Sequence, residues 1–433
     1  MRKFKKMAAL LMAGMMILSA NGCSGNGAGN DEEESAVTKE EGGNKLQLWH
    51  IQTAENRKKV IEEGVKEFSE KYGVEVEITV LENDPFKTKL RTAMGSGDAP
   101  DVFHSWGGGW LKAFADEGLV VDITEDIEVW KDQLNEAAIG MNTFDGKVYG
   151  SPYMTALTPL YYNKAIFEEH GLEVPTTWAE METVCETLKK NGIIPFALAN
   201  STKWPGAQHF VMLSMRIGGA DIFQKAISGE ISFEDETFIK AGDMLRNMVD
   251  DGWFPEGANA LNWDTGDSRQ MFYAGQCAMI LQTSGFISTC LSENEEFYNN
   301  NLALASYPAI EGGKGEITDM LAGENAFSVS ADSDNVEMSI KLVEFLSTSK
   351  TVQQGFADAG AIGARTDLNV STKPLQQGMD QLSNATYLQN FIDQTLSPEL
   401  AEKHKDTCQA LLGKTMTSEE AAKEMQKLYE SIE

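Results

Sequence analysis

A strand–helix–strand pattern near the start of the globular part of the chain restricts the possible folds more than any other feature. Residues 45–49 alternate apolar and polar side chains, as a short strand does. Residues 55–72 place Ile61 and Val65 on one face of a helix, and residues 74–80 alternate strictly again. Two consecutive strands that are joined by a helix form a parallel pair. The pattern therefore predicts an α/β fold.

Helices and strands continue to alternate along the rest of the chain. A helix over 86–94 precedes a strand over 101–104, and two more buried strands are predicted over 193–199 and 277–282. From residue 351 onward the pattern is mostly helical. Since single hydrophobic cores stop growing at about 250–300 residues, a chain of 433 residues is expected to form two lobes.

The N-terminus is predicted to direct the chain out of the cell and to hold it at the membrane. Residues 1–22 carry basic side chains and then a charge-free apolar run at 7–18, which is typical of a signal peptide. Cys23 follows a small residue, as in a bacterial lipobox, and is the predicted lipidation site. Residues 23–43 are rich in Gly, Asn and acidic residues and should form a flexible tether. Ala20 favours the alternative, a secreted protein with an incidental cysteine, because lipoboxes usually have Leu there.

Composition excludes several classes of partner. The formal net charge of −30 argues against nucleic acid and against a second, electrostatic membrane anchor. No apolar run approaches the roughly 20 residues that span a bilayer, so membrane contact is expected only through the lipid. The cysteines other than Cys23 have no metal-binding spacing. They are expected to be buried free thiols, although three disulfide pairings stay open: Cys185, Cys277, Cys290 and Cys408.

Motifs of common enzymes are missing from the sequence. There is no HExxH, GxSxG or P-loop motif, and the five histidines have no ligand-like spacing. The sequence therefore predicts neither catalysis nor a cofactor or metal. Glycoside hydrolysis needs only two carboxylates, so a secreted carbohydrate-active enzyme stays open as an alternative.

Tryptophan placement points to a sugar ligand. Trp106 opens a Trp-Gly-Gly-Gly-Trp run directly after the strand at 101–104, at the end of a strand where open α/β sheets bind ligands. Aromatic rings beside Asp, Asn, Glu and Arg suit a sugar, since a ring packs on the C–H face while polar groups bind hydroxyls. Three tryptophans on helical stretches are predicted to be core: Trp110, Trp130 and Trp178. The others lie at strand ends or in loops and are candidates for the cleft: Trp49, Trp106, Trp204, Trp253 and Trp263.

Several motifs together resemble family 1 extracellular solute-binding proteins of ABC importers, the carbohydrate group with the maltose-binding-protein-like fold. The likeness runs from about residue 44 to at least residue 363. Its stretches are SGDAPDVF at 96–103, WGGGW at 106–110, DGKVYGSP at 145–152, LYYNK at 160–164, PTTW at 175–178, KWPG at 203–206, WDTG at 263–266 and AGENAF at 322–327.

The resemblance implies a type II periplasmic-binding-protein-like fold with a cleft between two lobes. Lobe 1 would comprise 44–152 plus 316–349, and lobe 2 would comprise 153–315 plus 350–433. A monomer would capture a carbohydrate, with an oligosaccharide favoured, and pass it to the transmembrane subunits of an ABC permease. A lipid on Cys23 would hold it on the outer face of the membrane of a Gram-positive type of bacterium. A binding protein for a non-sugar solute is a further alternative.

The resemblance also implies a set of ligand-binding residues. Family members often have Trp after the turn that follows the strand at 277–282, where this chain has Phe286, which keeps an aromatic platform but lacks the indole N–H. Lobe 1 is expected to contribute Trp49, His50, Glu82, Trp106, Glu324 and Asn325, and lobe 2 is expected to contribute Asn200, Trp204, Trp263, Asp264, Phe286 and Arg365.

Overall fold

The computed structural model describes residues 45–432. The predicted signal peptide (1–22), the tether (23–43) and the lipidation site Cys23 lie outside the described residues. The strands are β1 Lys45–His50, β2 Glu75–Val80, β3 Val102–Ser105, β4 Thr143–Phe144, β5 Lys147–Val148, β6 Ser151–Leu157, β7 Leu160–Asn163, β8 Ile194–Phe196, β9 Cys277–Leu281, β10 Leu302–Ala305, β11 Met320–Val329 and β12 Leu388–Gln389.

Helices surround these strands and account for most of the C-terminal part. They are α1 Glu55–Tyr72, α2 Asn83–Ser96, α3 Gly109–Asp116, α4 Thr124–Ile127, α5 Glu136–Met141, α6 Lys164–Glu169, α7 Trp178–Lys190, α8 Trp204–Gly218, α9 Ile222–Ile227, α10 Glu236–Asp250, α11 Asp267–Tyr273, α12 Gly285–Glu293, α13 Glu295–Asn300, α14 Val336–Thr348, α15 Lys350–Asp358, α16 Lys373–Asn384, α17 Ile392–Thr395, α18 Pro398–Leu412 and α19 Ser418–Ile432. Short 3-10 turns lie at Lys131–Gln133 and Ala258–Ala260.

The first sheet has six strands in the order β12-β11-β3-β1-β2, with β6 also paired to β11. Strand β1 runs parallel to both β2 and β3, which confirms the parallel pair predicted from the strand–helix–strand pattern. Helix α1 buries Ile61 and Val65 against this sheet, as their spacing predicts. The α/β fold class predicted from the sequence is therefore confirmed.

The second sheet has four strands in the order β10-β7-β9-β8. The chain enters it directly after β6 of the first sheet and returns through β11. Strand β8 is shorter than the predicted strand over 193–199, because residues 197–199 leave the ladder although they stay buried.

A buried arginine fixes the path by which the chain returns to the first sheet. The Arg216 side chain is fully buried, and its guanidinium donates hydrogen bonds to backbone carbonyls on both sides of residues 309–316. The acceptors are the carbonyl oxygens of Tyr307, Pro308, Ile317 and Asp319. Several charge-assisted hydrogen bonds offset the cost of burying this cation.

The core accounts for the residues predicted to lie inside. Trp110, Trp130 and Trp178 are all buried, although Trp130 lies in a turn rather than in a helix.

Between residues 45 and 432 no helix has both the length and the apolar character needed to cross a membrane. In the same range no group of His, Cys, Asp and Glu side chains is arranged to hold a metal ion. The cysteines there are buried free thiols, as expected: Cys185, Cys277, Cys290 and Cys408.

Candidate ligand-binding cleft

A cavity of about 370 Å³ is lined by residues that follow strands of both sheets. From the first sheet, Glu82 lies two residues after β2 and Trp106 directly follows β3. From the second sheet, residues 283–286 follow β9, and Trp204 begins α8 a few residues after β8. The cavity therefore lies where the carboxyl ends of strands meet, the usual ligand position in open α/β sheets.

The structure brings most of the predicted ligand-binding residues to this cavity and leaves the others elsewhere. Those that line it are Glu82, Trp106, Trp204, Trp263, Asp264, Phe286, Glu324 and Asn325. Those that do not line it are Trp49, His50, Asn200 and Arg365.

Trp49 and His50 end β1 but do not reach the cavity. The Trp49 ring is 7% exposed and borders a separate groove along α2, where the Lys89 ammonium lies 4.1 Å from the ring centroid. The His50 side chain is fully buried, and its Nδ1 accepts a hydrogen bond from the backbone N–H of Gln52. Burial lowers the pKa of His50 to about 3, so the ring is neutral at physiological pH.

Asn200 and Arg365 have structural contacts instead of a place at the cavity. The Asn200 Oδ1 accepts a hydrogen bond from the Gly206 N–H at 2.8 Å and so holds the first turn of α8, which carries Trp204. The Arg365 guanidinium bonds to Asp367 and to the Thr348 carbonyl, away from the cavity. Trp253, also a candidate from its loop position, packs on Trp178 in the core, with 5.5 Å between ring centroids.

On the second-sheet side, three aromatic rings form a connected group. The Trp204 and Trp263 rings meet edge to face at 5.9 Å, and the Trp263 and Phe286 rings meet at 6.0 Å. Both tryptophans are partly exposed, whereas Phe286 is fully buried beside Trp263. Phe286 was expected to offer an aromatic platform to the ligand. Because neighbouring rings pack around it, Phe286 instead supports the Trp263 ring.

Trp106 lies at the cavity but is packed on several sides. Its ring is 4% exposed and meets the rings of His104 at 4.4 Å and Trp110 at 5.0 Å edge to face. The Lys87 ammonium lies 4.7 Å from its centroid, in a cation–π contact. Trp106 is therefore both part of the core and part of the cavity wall.

Burial raises the pKa of three carboxyl groups that line the cavity. Burial raises the pKa of Glu324 to about 8, although the Gly107 N–H, 2.6 Å from Oε1, lowers it. Burial also raises the pKa of Glu82, and the negative charge of Asp264 raises it further. The pKa of Asp264 is raised by burial and then by Asp84, while Arg269 lowers it. Where they are ionised, the oxygens of these groups can accept hydrogen bonds from hydroxyl groups.

Sequence reasoning missed several polar residues of the cavity. Arg57 precedes Ile61 by one helical turn on the buried face of α1, and a cation at such a position is itself a signal. Gln208 lies one turn after Trp204 in α8, on a stretch of the helix that is buried throughout. Lys87 and Gln394 carried no comparable signal in the sequence, since tertiary packing alone brings them to the cavity.

Comparison with known proteins identifies the family. A family model of bacterial extracellular solute-binding proteins matches residues 53–353. The chain belongs to this family. The match spans most elements of both sheets of this solute-binding protein and confirms the resemblance that the sequence motifs indicate.

Curated relatives of this solute-binding protein are distant. An uncharacterized ABC transporter extracellular-binding protein of Pyrococcus horikoshii is 28% identical over 290 residues, which are 64% of this chain and 64% of the relative. That match spans less than two thirds of the relative's length. The multiple sugar-binding protein of Streptococcus mutans is 24% identical over 390 residues, which are 87% of each chain.

Solved structures agree with the fold of this solute-binding protein. One, from work on xylan utilization by Caldanaerobius polysaccharolyticus, has 30% sequence identity and a TM-score of 0.84, covering 89% of this chain and 99% of that chain. A chitin oligosaccharide binding protein has a TM-score of 0.81 at 22% identity, covering 89% of this chain and 98% of that chain. The second similarity concerns the fold alone.

Proposed function

We propose that this chain is the substrate-binding component of an ABC importer that captures a carbohydrate, with an oligosaccharide favoured, and delivers it to a membrane permease. The observation that carries the proposal is the pair of partly exposed rings, Trp204 and Trp263, beside the carboxylates of Glu82 and Asp264 in one cavity. Rings pack on the apolar faces of a sugar, and carboxylates accept hydrogen bonds from its hydroxyls.

Polar atoms that lack partners support a polar ligand. The Trp204 Nε1 and the Gln208 Oε1 are buried, border the cavity and have no hydrogen-bond partner among residues 45–432. An unsatisfied buried donor or acceptor is costly. A sugar hydroxyl both donates and accepts, so one sugar ring could satisfy both atoms.

The mechanism follows from binding to two lobes, which we propose to be 44–152 plus 316–349 and 153–315 plus 350–433. The two faces already meet beside the cavity: the Asn56 amide donates to the Ser288 carbonyl at 2.9 Å, and the Arg57 Nη1 donates to the Gly285 carbonyl at 2.6 Å. A ligand that contacts both lobes favours the closed form by its additional contacts. The permease would then recognise the closed form, and no covalent chemistry is required.

The relatives support a sugar as the ligand. One curated relative is named for binding multiple sugars, and a structure with 30% identity comes from work on xylan utilization. Xylan-derived oligosaccharides therefore belong among the first ligands to be tested.

We further propose a monomer with a lipid on Cys23, held at the outer face of the membrane of a Gram-positive type of bacterium by the tether at 23–43.

Thermal unfolding against a sugar panel tests this function. The soluble chain from residue 44 is melted alone and with mono-, di- and trisaccharides of xylose, glucose, galactose and N-acetylglucosamine. Stabilisation by RT ln(1 + [L]/Kd) should reach about 2.7 kcal/mol at a hundredfold excess over Kd. No shift with any carbohydrate contradicts the proposal. Release of reducing sugar in the same mixtures would instead favour a carbohydrate-active enzyme, and a shift with a non-sugar solute alone would favour the other alternative.

A further inference from the structure

The cations around the cleft already have acceptors in the protein. The Lys87 ammonium lies 3.6 Å from the Asp393 carboxylate and covers the Trp106 ring. The Arg269 guanidinium lies 2.7 Å from Glu293. These positive charges are therefore largely balanced before any ligand arrives.

Arg57, the remaining cation, is also engaged. Its Nε donates to the Gln52 Oε1 at 2.7 Å and its Nη1 to the Gly285 carbonyl at 2.6 Å. Its side chain is 8% exposed. These contacts use two of its five N–H groups and hold the guanidinium in one position.

Two carboxylates that line the same cavity lack such partners. The Glu82 carboxylate has one weak contact, with the Thr53 hydroxyl at 3.5 Å. Within the described part of the chain, the Asp264 carboxylate has no hydrogen bond and no ion pair. Glu82 follows a strand of the first sheet, whereas Asp264 lies in the loop before α11 beside the second. Burial raises the pKa of Glu82, and the negative charge of Asp264 raises it further, as expected for two acids that border one cavity.

Two glutamine side chains add further hydrogen-bond acceptors to those of the acids. The Gln208 and Gln394 side chains line the same cavity, are 5% and 9% exposed, and each has an Oε1 without a hydrogen-bond partner among residues 45–432. A buried acceptor of this kind requires a donor from the ligand. Beside the unpartnered Trp204 Nε1 donor, the cleft thus presents several acceptors that hydroxyl groups can satisfy and that an ionised carboxylate or phosphate group, which has no donor, cannot.

We propose that this cleft selects neutral saccharides and rejects acidic ones, such as uronic acids and sugar phosphates, and that Glu82 and Asp264 are the residues that set this selectivity. The inference rests on the proposed sugar-binding function and narrows its ligand class. An acidic ligand would bring its negative charge close to the carboxylates of the cleft, where little water remains to screen the repulsion. This repulsion costs binding free energy and so disfavours acidic ligands.

Matched ligand pairs test the selectivity. The probes are maltotriose, cellotriose and xylotriose, each measured by titration calorimetry beside an acidic counterpart. For the first two the counterpart is the C6-oxidised trisaccharide, and for xylotriose it is the form with a 4-O-methylglucuronic acid branch. Arabinose-branched xylotriose controls for the size of that branch. At least one neutral probe should bind, and its acidic counterpart should bind at least about tenfold more weakly.

Two substitutions that remove a negative charge but keep the size of the side chain test the role of charge. The melting temperature of each variant is measured first, so that affinities are compared only where the protein is folded. Glu82→Gln and Asp264→Asn should each reduce the ratio of the affinity for a neutral probe to the affinity for its acidic counterpart. Glu63→Gln, at an exposed position on α1, should leave this ratio unchanged. Equal or tighter binding of an acidic probe by the unaltered protein overturns the inference alone. An unchanged ratio in both variants overturns the role of these two residues. Failure of every probe, neutral and acidic, together with the absence of a thermal shift across the whole sugar panel, contradicts the proposed function itself.

Discussion

The backbone N–H of Gly107 donates a hydrogen bond to the carboxylate of Glu324 at 2.6 Å, across 217 residues of sequence. Gly107 belongs to the Trp-Gly-Gly-Gly-Trp run after β3, and Glu324 lies in the middle of β11. The bond fixes the loop that carries Trp106 to the strand by which the chain returns to the first sheet. Two motifs that are far apart in sequence thus form one corner of the cleft.

This buried carboxyl should make stability depend on pH. The pKa of Glu324 is raised from 4.5 to about 8 in the folded chain. Between these values the unfolded chain loses the proton while the folded chain keeps it, so stability falls as the pH rises through this window. The slope for one such group is about 1.4 kcal/mol for each pH unit.

Glu324→Gln should remove that slope, because it stays neutral and keeps an oxygen that accepts the Gly107 N–H. Urea unfolding at pH 5.5 and pH 8 measures the difference between the two proteins. The buried histidines titrate in both and therefore cancel in the comparison. Parallel loss of stability in both proteins between these pH values would show that Glu324 is already ionised at pH 5.5.

Gly107 itself should tolerate no side chain. A Cβ at this position would lie 2.2 Å from the backbone carbonyl oxygen of Met141. Gly107→Ala should therefore destabilise the protein by at least about 2 kcal/mol. The matched control is Gly95→Ala in α2, where a Cβ meets nothing within 4 Å and higher helix propensity should stabilise the protein by up to about 1 kcal/mol. Equal melting temperatures of the two variants would refute the steric argument.

Periodicity predicted much of the fold because its signal is local. Helix α1 occupies residues 55–72 as predicted, since its apolar spacing and Gly73 define both its face and its end. The strand predicted over 193–199 came out shorter, because an apolar run reports burial and not hydrogen bonding to a neighbouring strand. Pairing of β11 with β3, β6 and β12 depends on contacts between distant parts of the chain, which one sequence does not reveal.

The candidate site was predicted less completely than the fold. A loop position placed both Trp253 and Trp263 among the cleft candidates, although only Trp263 lines the cavity. Local sequence indicates that a tryptophan follows a strand but not which side of the loop its ring faces. Gln394 comes to the cavity from the C-terminal helices, whose packing no local pattern predicts.

Trp263 should matter for affinity more than for folding. Its ring is partly exposed at the cavity and supported by Phe286, so Trp263→Ala should weaken sugar binding by about tenfold or more. Trp49→Ala is the control, since that ring is buried outside the cavity. It should cost about 3 kcal/mol of stability while the folded protein keeps its affinity. Titration calorimetry well below both melting temperatures compares the variants, and normal affinity in Trp263→Ala would exclude the ring as a platform.

Arg216 should be essential for the path of the chain between the sheets. Arg216→Met leaves several buried carbonyl oxygens without donors and should cost about 3–5 kcal/mol in the free energy of unfolding. Arg91→Met, at an exposed position on α2, should stay within about 0.5 kcal/mol of the unaltered protein. Denaturant unfolding measures both. A small effect of Arg216→Met would mean that water or neighbouring donors satisfy these carbonyls.

We propose above all that the cleft binds a sugar and leaves it chemically unchanged. The most direct test is titration calorimetry with the sugar that gives the largest thermal shift, followed by chromatography of the same solution after a day of incubation. We predict saturable binding of one sugar per chain, with the ligand recovered intact. Absence of binding by every carbohydrate, or recovery of shorter sugars in place of the one added, would contradict the account.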